Sequence, residues 1–170
     1  MIGKIIGAML IILCCGGLGW SISAESRREE ETLRQLISAL DYMQCELQYR
    51  MTPLPDLCLH AGREQNGIIG NFFSLLAREL EDQVSPEVSS CVRAAMSRLE
   101  WIPKRLDKAL RLLGMTLGRF DVTGQLAGLE QVRQYCRDEV SKMADNRDTR
   151  LRSYQTLGLC AGAALAILFV

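Results

Sequence analysis

Residues 33–57 read LRQLISALDYMQCELQYRMTPLPDL and contain both a helix and the signal that ends it. Apolar side chains recur there at spacings of three and four, which places them on one face of an α-helix: Leu33, Leu36, Leu40, Met43 and Leu47. A second apolar stripe predicts that this helix is buried on two sides; it comprises Tyr42, Cys45 and Tyr49. Pro53 cannot continue the hydrogen-bond ladder but suits the first turn of a new helix, for which we expect Thr52 as N-cap.

The chain after this stretch continues as helices. A second helix ends near QNG at 65–67, and a third runs from Ile68 to about Leu80. Ser85 and Pro86 begin a fourth helix, which Pro103 ends. No segment alternates with a period of two for long enough to form a strand.

Two more helices complete this central region. The fifth carries an apolar face and ends at LGRFD, residues 117–121. Asp121 then caps a long sixth helix, which no Pro interrupts before the end of the sequence. The expected fold class is therefore all-α, with a six-helix domain arranged as two antiparallel three-helix bundles.

Both ends of the sequence are apolar, since residues 5–24 and 153–170 contain no Asp, Glu, Lys or Arg. A spanning helix needs about 20 apolar residues, so we predict a transmembrane helix in each segment. A cleaved signal peptide is the alternative for the first, and a buried core helix for the second. The expected domains are a transmembrane helix at 1–25, a cytoplasmic helical domain at 26–152 and a transmembrane helix at 153–170.

Basic residues predict the orientation. They lie on the inner flanks of the two apolar segments, at Arg27, Arg28, Arg147, Arg150 and Arg152. Only Lys4 and the amino terminus lie outside, so the central domain should be cytoplasmic and both termini should face outward. The 7 cysteines include no CxxC pair, which favours reduced thiols over a disulfide framework.

Composition and motifs argue against several functions. With 20 Lys and Arg against 20 Asp and Glu the net charge is zero, which argues against a nucleic-acid-binding protein. His60 is the single histidine and has no cluster of ligands near it in the sequence. No phosphate-binding GxxxxGK[ST] motif occurs. We therefore expect no catalytic residue, metal, cofactor or small-molecule substrate, and an interaction module rather than an enzyme.

Three stretches carry a resemblance to a known family. They are CELQYRMTPLPDL at 45–57, LGMTLGRFDVTGQ at 113–125 and the apolar LGLCAGAALAILFV at 157–170. By the order and spacing of these stretches, the chain resembles the stage III sporulation protein AB family of endospore-forming bacteria over its whole length. The resemblance implies a soluble domain similar to the six-helix cytoplasmic domains of the type II secretion and type IV pilus platform protein.

The same resemblance implies a function. It suggests a non-enzymatic platform or adaptor subunit of the transport complex that links mother cell and forespore, in the mother-cell membrane around the forespore. The implied partners are a secretion-type ATPase of the same operon and other membrane subunits of the channel. A membrane sensor or regulator whose cytoplasmic bundle binds a signalling partner is the alternative.

The residues that match the family's motifs are the candidate partner-binding residues. In the first motif they are Glu46, Tyr49, Pro53 and Leu54, and in the second Gly114, Leu117, Gly118, Asp121 and Gln125. Pro53 and Asp121 also suit helix starts, Gly118 a helix end, and the two leucines the core. The polar groups of Glu46, Tyr49 and Gln125 need partners. They either bond to one another across the first and sixth helices or line a cleft for a partner.

Overall fold

The structure, a computed structural model, describes the backbone of residues 2–50, 52–82, 87–118 and 121–169, and the side chains of 26–50, 52–82, 87–118 and 121–146. Six helices follow one another: α1 (Ile2–Tyr49), α2 (Leu54–Arg63), α3 (Gly67–Glu81), α4 (Val88–Ser97), α5 (Lys104–Thr116) and α6 (Val122–Phe169). The described residues contain no strand. The prediction of an all-α fold with six helices is confirmed.

The helices run alternately up and down. Each packs against the next, α6 closes against α1, and α1 also touches α3 and α5. The antiparallel register of α1 and α6 is visible where Gln44 Nε2 donates to the carbonyl oxygen of Leu126 at 3.3 Å. Further along, Asp41 of α1 pairs with Arg133 of α6.

This arrangement gives the domain two ends. The motif end, residues 46–54 and 114–125, contains the ends of α1 and α5 and the starts of α2 and α6. The base, residues 26–30, 98–105 and 139–146, contains the α4–α5 connection and the opposite parts of α1 and α6. Arg105 joins the three parts of the base, because its guanidinium lies 2.8 Å from both Glu29 and Glu139.

One hydrophobic core fills the space between the helices. The predicted α1 stripe is buried throughout, with Leu47 the most exposed member at 7%. Phe72 and Phe73 of α3 are fully buried and meet edge to face with ring centroids 5.2 Å apart. The predicted second stripe is wrong, because Cys45 is exposed and Tyr49 is 77% exposed. Tyr49 is the last residue of α1, beyond which the chain turns into α2.

The predicted division into two three-helix bundles holds only for the first half. Helices α1, α2 and α3 contact one another pairwise. Helix α4 contacts α3 and α5, but in the described ranges it does not reach α6, because α5 lies between them. The buried side chains of both halves belong to a single cluster, so the domain is one up-and-down bundle.

Tertiary contacts move two predicted helix boundaries. Pro53, not Thr52, is the N-cap of α2, because its carbonyl oxygen accepts the first hydrogen bond of the helix, from the Leu57 N–H at 2.9 Å. The Thr52 hydroxyl donates to Glu46 Oε2 at 2.9 Å. Helix α4 begins after Glu87, and the predicted Ser85–Pro86 start lies outside the described residues. It ends at Ser97, before Pro103, where two backbone N–H groups bond three residues back in a tightened last turn.

Four cysteines lie among the residues with described side chains, and none of the four is in a disulfide bond. Cys45 is exposed, whereas Cys58, Cys91 and Cys136 are buried. Burial raises the pKa of the Cys58 and Cys136 thiols to about 12. Both therefore stay protonated at neutral pH, which makes them poor nucleophiles.

Within the described residues, no helix has an apolar stretch long enough to cross a membrane. The two predicted transmembrane helices, at 1–25 and 153–170, fall on residues whose side chains lie outside the described part of the chain. The boundaries predicted for the domain at 26–152 therefore stay a prediction.

Candidate interaction site at the motif end

The two motifs of the sequence analysis pack against each other at the motif end. Gly118 follows α5 with a φ of +74°, in the left-handed region. A methyl group added there would lie 2.4 Å from Cγ2 of Val88 and 4.0 Å from Cδ2 of Leu54. Leu54 is half-buried against the core and Leu117 is fully buried, as predicted for both. The close approach at Gly118 thus packs the second motif against the start of α4, and Leu54 of the first motif lies at van der Waals distance from the same point.

Glu46 closes the turn between α1 and α2. Its carboxylate accepts the Thr52 hydroxyl hydrogen bond and lies 3.5 Å from the Arg50 guanidinium. The Glu46 side chain is only 13% exposed. Burial, and then the Glu46 charge, raise the pKa of the Tyr42 phenol. The structure therefore gives Glu46 partners within its own motif, which supports a structural role.

Tyr49 lies in a different environment from Glu46. Its side chain is 77% exposed, and the register of α1 and α6 places it opposite Val122, which is 39% exposed. Met115, at the end of α5, is 56% exposed. Three of the four exposed large apolar side chains in the described residues thus lie at the motif end. Tyr49 and Val122 are on α1 and α6, and Met115 lines a groove with Val92 and Met96 of α4. Exposed apolar side chains of this kind are candidates for contact with another protein.

Asp121 is the N-cap of α6, as predicted. Its Oδ1 accepts a hydrogen bond from the Gly124 N–H at 3.0 Å, and its carbonyl oxygen accepts one from the Gln125 N–H at 2.9 Å. The Gln125 side chain is half-buried in the first turn of α6. Asp121 therefore fixes the direction in which α6 leaves the motif end.

Loss of this cap should be measurable. We expect Asp121→Ala to lower the free energy of unfolding by about 0.5–2 kcal/mol, and Asp121→Asn to restore most of it, because Asn also accepts the Gly124 N–H. Urea denaturation followed by circular dichroism measures both values. If both variants stay as stable as the parent while sporulation fails in both, the carboxylate serves a partner and the capping role is wrong.

Two residues that tie α1 to α6 were missed from the sequence. Gln44 Nε2 donates to the Leu126 carbonyl and to Glu130 Oε2, each at 3.3 Å. Arg133 pairs with Asp41 and also with Glu130. Gln44 directly follows the buried Met43. A polar residue at the edge of an apolar helix face often bonds to the neighbouring helix, and this signal could have identified Gln44 from the sequence.

The chemistry available in the described residues is limited. No group of three or more His, Cys, Asp or Glu side chains there is arranged to hold a metal ion. His60 is exposed near the end of α2. What the site offers is a rigid meeting point of four helix ends with apolar side chains facing solvent.

The described residues thus form an all-α bundle built around two long helices, with exposed apolar side chains at the motif end. The profile of the family described as Stage III sporulation protein AB (spore_III_AB) matches residues 4–170, so the chain belongs to this family. The family resemblance noted from the sequence is confirmed, and with it a role in sporulation.

A solved structure has a similar fold. It is described as "Stage III sporulation protein AB (SpoIIIAB)" and superposes with a TM-score of 0.59 at 17% sequence identity. The match covers 69% of this chain and 94% of that chain. At this identity the likeness supports the fold alone. No curated protein matches the sequence.

Proposed function

We propose that the chain is a non-enzymatic platform subunit of the transport complex between mother cell and forespore, and that sporulation requires it. The observation that carries the proposal is the position of the family's motif residues. They lie together at the motif end, and three exposed apolar side chains, Tyr49, Met115 and Val122, lie at the same end. The base, at the opposite end, is where α1 and α6 lead to the charge-free terminal segments.

The length of α1 sets the geometry of such a platform. From Ser26 to Tyr49 the helix extends about 35 Å. If residues 5–24 and 153–170 span the membrane, the motif end stands about this far from the bilayer surface. Two anchors that both leave from the base then hold the motif end at a fixed height, whereas a single anchor would let the domain swing.

The proposed location rests on the basic residues that flank the two apolar segments and on the family resemblance. The domain lies in the mother-cell cytoplasm, both termini face outward, and the spans lie in the membrane around the forespore. A secretion-type ATPase, the partner implied by the family resemblance, docks on the motif end. The other membrane subunits of the channel contact the spans, whose small residues allow close helix packing.

Substitution of Tyr49 tests the docking surface. We expect Tyr49→Ala to weaken binding of the ATPase to vesicles that carry the full chain at least tenfold, because a central exposed tyrosine is a typical binding hot spot. Co-flotation over a range of ATPase concentrations measures this affinity. Thermal stability should not change, since the side chain is 77% exposed.

Glu31→Ala is the matched control, because Glu31 is exposed on the same helix close to the base. Its affinity for the ATPase should equal that of the unmodified chain. Equal affinities for Tyr49→Ala and Glu31→Ala would rule out Tyr49 as a docking residue. If the unmodified chain does not bind the ATPase at all, but a strain that lacks the chain fails to sporulate, the sensor or regulator function is favoured instead.

A further inference from the structure

We propose that Trp101, in the α4–α5 connection, lies in the headgroup layer of the membrane and fixes the tilt of the domain over the bilayer. The inference rests on the proposed function, because it takes the bilayer to lie next to the base. Trp101 is 56% exposed, and it is the fourth exposed large apolar side chain of the described residues, the one that is not at the motif end.

The exposure of Trp101 is built into the fold. The connection is fixed at its start, where Arg98 pairs at 2.6 Å with Glu79, a carboxylate on α3 that is almost completely buried. It is fixed at its end by Pro103, which is buried and accepts a hydrogen bond from the Asp107 N–H at 2.8 Å. Trp101 lies between these two points, and its side chain is at the surface.

The ion pairs of Arg105 indicate how far the α4–α5 connection lies from the predicted first transmembrane segment. The Arg105 guanidinium contacts Glu29 on α1, and Trp101 precedes Arg105 by four residues. Glu29 comes five residues after Ala24, the last residue of the charge-free segment, which is about 7.5 Å of helix. Each interfacial layer of a bilayer is about 5–8 Å thick. Trp101 therefore lies within reach of the headgroups.

The surroundings of Trp101 suit a phospholipid. The indole forms one wall of a groove of about 660 Å³ whose apolar lining includes Ile68, Leu75 and Leu99. Arg78 also lines the groove and offers a guanidinium, which binds phosphate well. Tryptophan favours the membrane interface, because its apolar ring can contact lipid chains while its N–H group donates a hydrogen bond to a polar group.

Fluorescence of the full chain in vesicles tests this inference. The chain contains 2 tryptophans, Trp20 in the predicted first span and Trp101. Trp20→Phe therefore leaves Trp101 as the sole emitter. We expect a nitroxide on the lipid headgroup to reduce its emission more strongly than a nitroxide at mid-chain, and vesicles to protect it from iodide. Circular dichroism checks that the variant keeps its helix content.

The matched variant Trp101→Phe reports on Trp20 and so tests the proposed spans separately. A mid-chain nitroxide should quench Trp20 more than a headgroup nitroxide. If Trp20 is quenched in this way but Trp101 is quenched only by iodide, the lipid contact is wrong and the proposed function stands. If Trp20 is not quenched, the span fails. Headgroup quenching of Trp101 supports the lipid contact whatever Trp20 shows.

Discussion

Gly118→Ala is expected to lower the free energy of unfolding by about 2–5 kcal/mol. A left-handed backbone costs a residue with a Cβ about 1–2 kcal/mol, and an added methyl group in a packed site costs about 1–3 kcal/mol. Both costs apply, because φ is +74° and the methyl group would lie 2.4 Å from Val88 Cγ2. Denaturant unfolding of residues 26–152, which we expect to fold as a separate fragment, measures the loss.

Gly67→Ala is the matched control for this prediction. Gly67 has a φ of +67°, and an added methyl group would meet nothing within 4 Å. Gly67→Ala should therefore lower the free energy of unfolding by the backbone cost alone, about 1–2 kcal/mol. A loss at Gly118 no larger than the loss at Gly67 would contradict the close packing of Gly118 against Val88 at the motif end.

Truncation after Ser153 is expected to abolish spore formation while leaving a folded, membrane-bound protein. We expect residues 5–24 still to insert, and Met143, the last buried apolar residue of the described side chains, is retained. What is lost is the second anchor, and with it the fixed height of the motif end. In a truncation strain, membrane fractionation tests membrane binding, the protein level reports whether the protein is stably folded, and spore counts give the spore yield.

A replacement variant serves as the control for the truncation. An unrelated apolar helix of the same length in place of residues 153–170 should restore spore yield if anchoring alone is needed. Restoration by the native segment alone would indicate specific helix contacts in the membrane. Normal spore yield from the stable truncation would show that one anchor suffices, which contradicts the platform geometry.

Local patterns predicted much of the fold. The stripe from Leu33 to Leu47, the start of α6 at Asp121 and the end of α5 near Gly118 were all expected, because periodicity, caps and glycines act within a few residues. The cap of α2 and the end of α4 were not. The Thr52 hydroxyl bonds to Glu46, and α4 ends in a tightened turn next to the Arg98–Glu79 ion pair; the local sequence pattern contains neither contact.

The candidate site shows the same limit. The sequence placed Tyr49 on an apolar stripe and left the same two roles open for it as for Glu46, which belongs to the same motif. The structure separates them, because Glu46 is 13% exposed and bonded within its turn while Tyr49 is 77% exposed. Which member of a stripe faces solvent depends on where the next helix packs, and a single helix pattern does not contain that information.

The central claim is that two outward-facing termini hold a cytoplasmic domain at the membrane. Labelling with a membrane-impermeant maleimide in protoplasts that express the chain tests it most directly. Cys45 is the exposed thiol of the described domain, and Cys58 and Cys136 stay protonated and buried. With Cys14, Cys15 and Cys160 replaced by Ala, Ile2→Cys and Phe169→Cys should label in intact protoplasts, and Cys45 only after lysis. Labelling of Cys45 in intact protoplasts, or protection of either terminal cysteine there, would contradict the account.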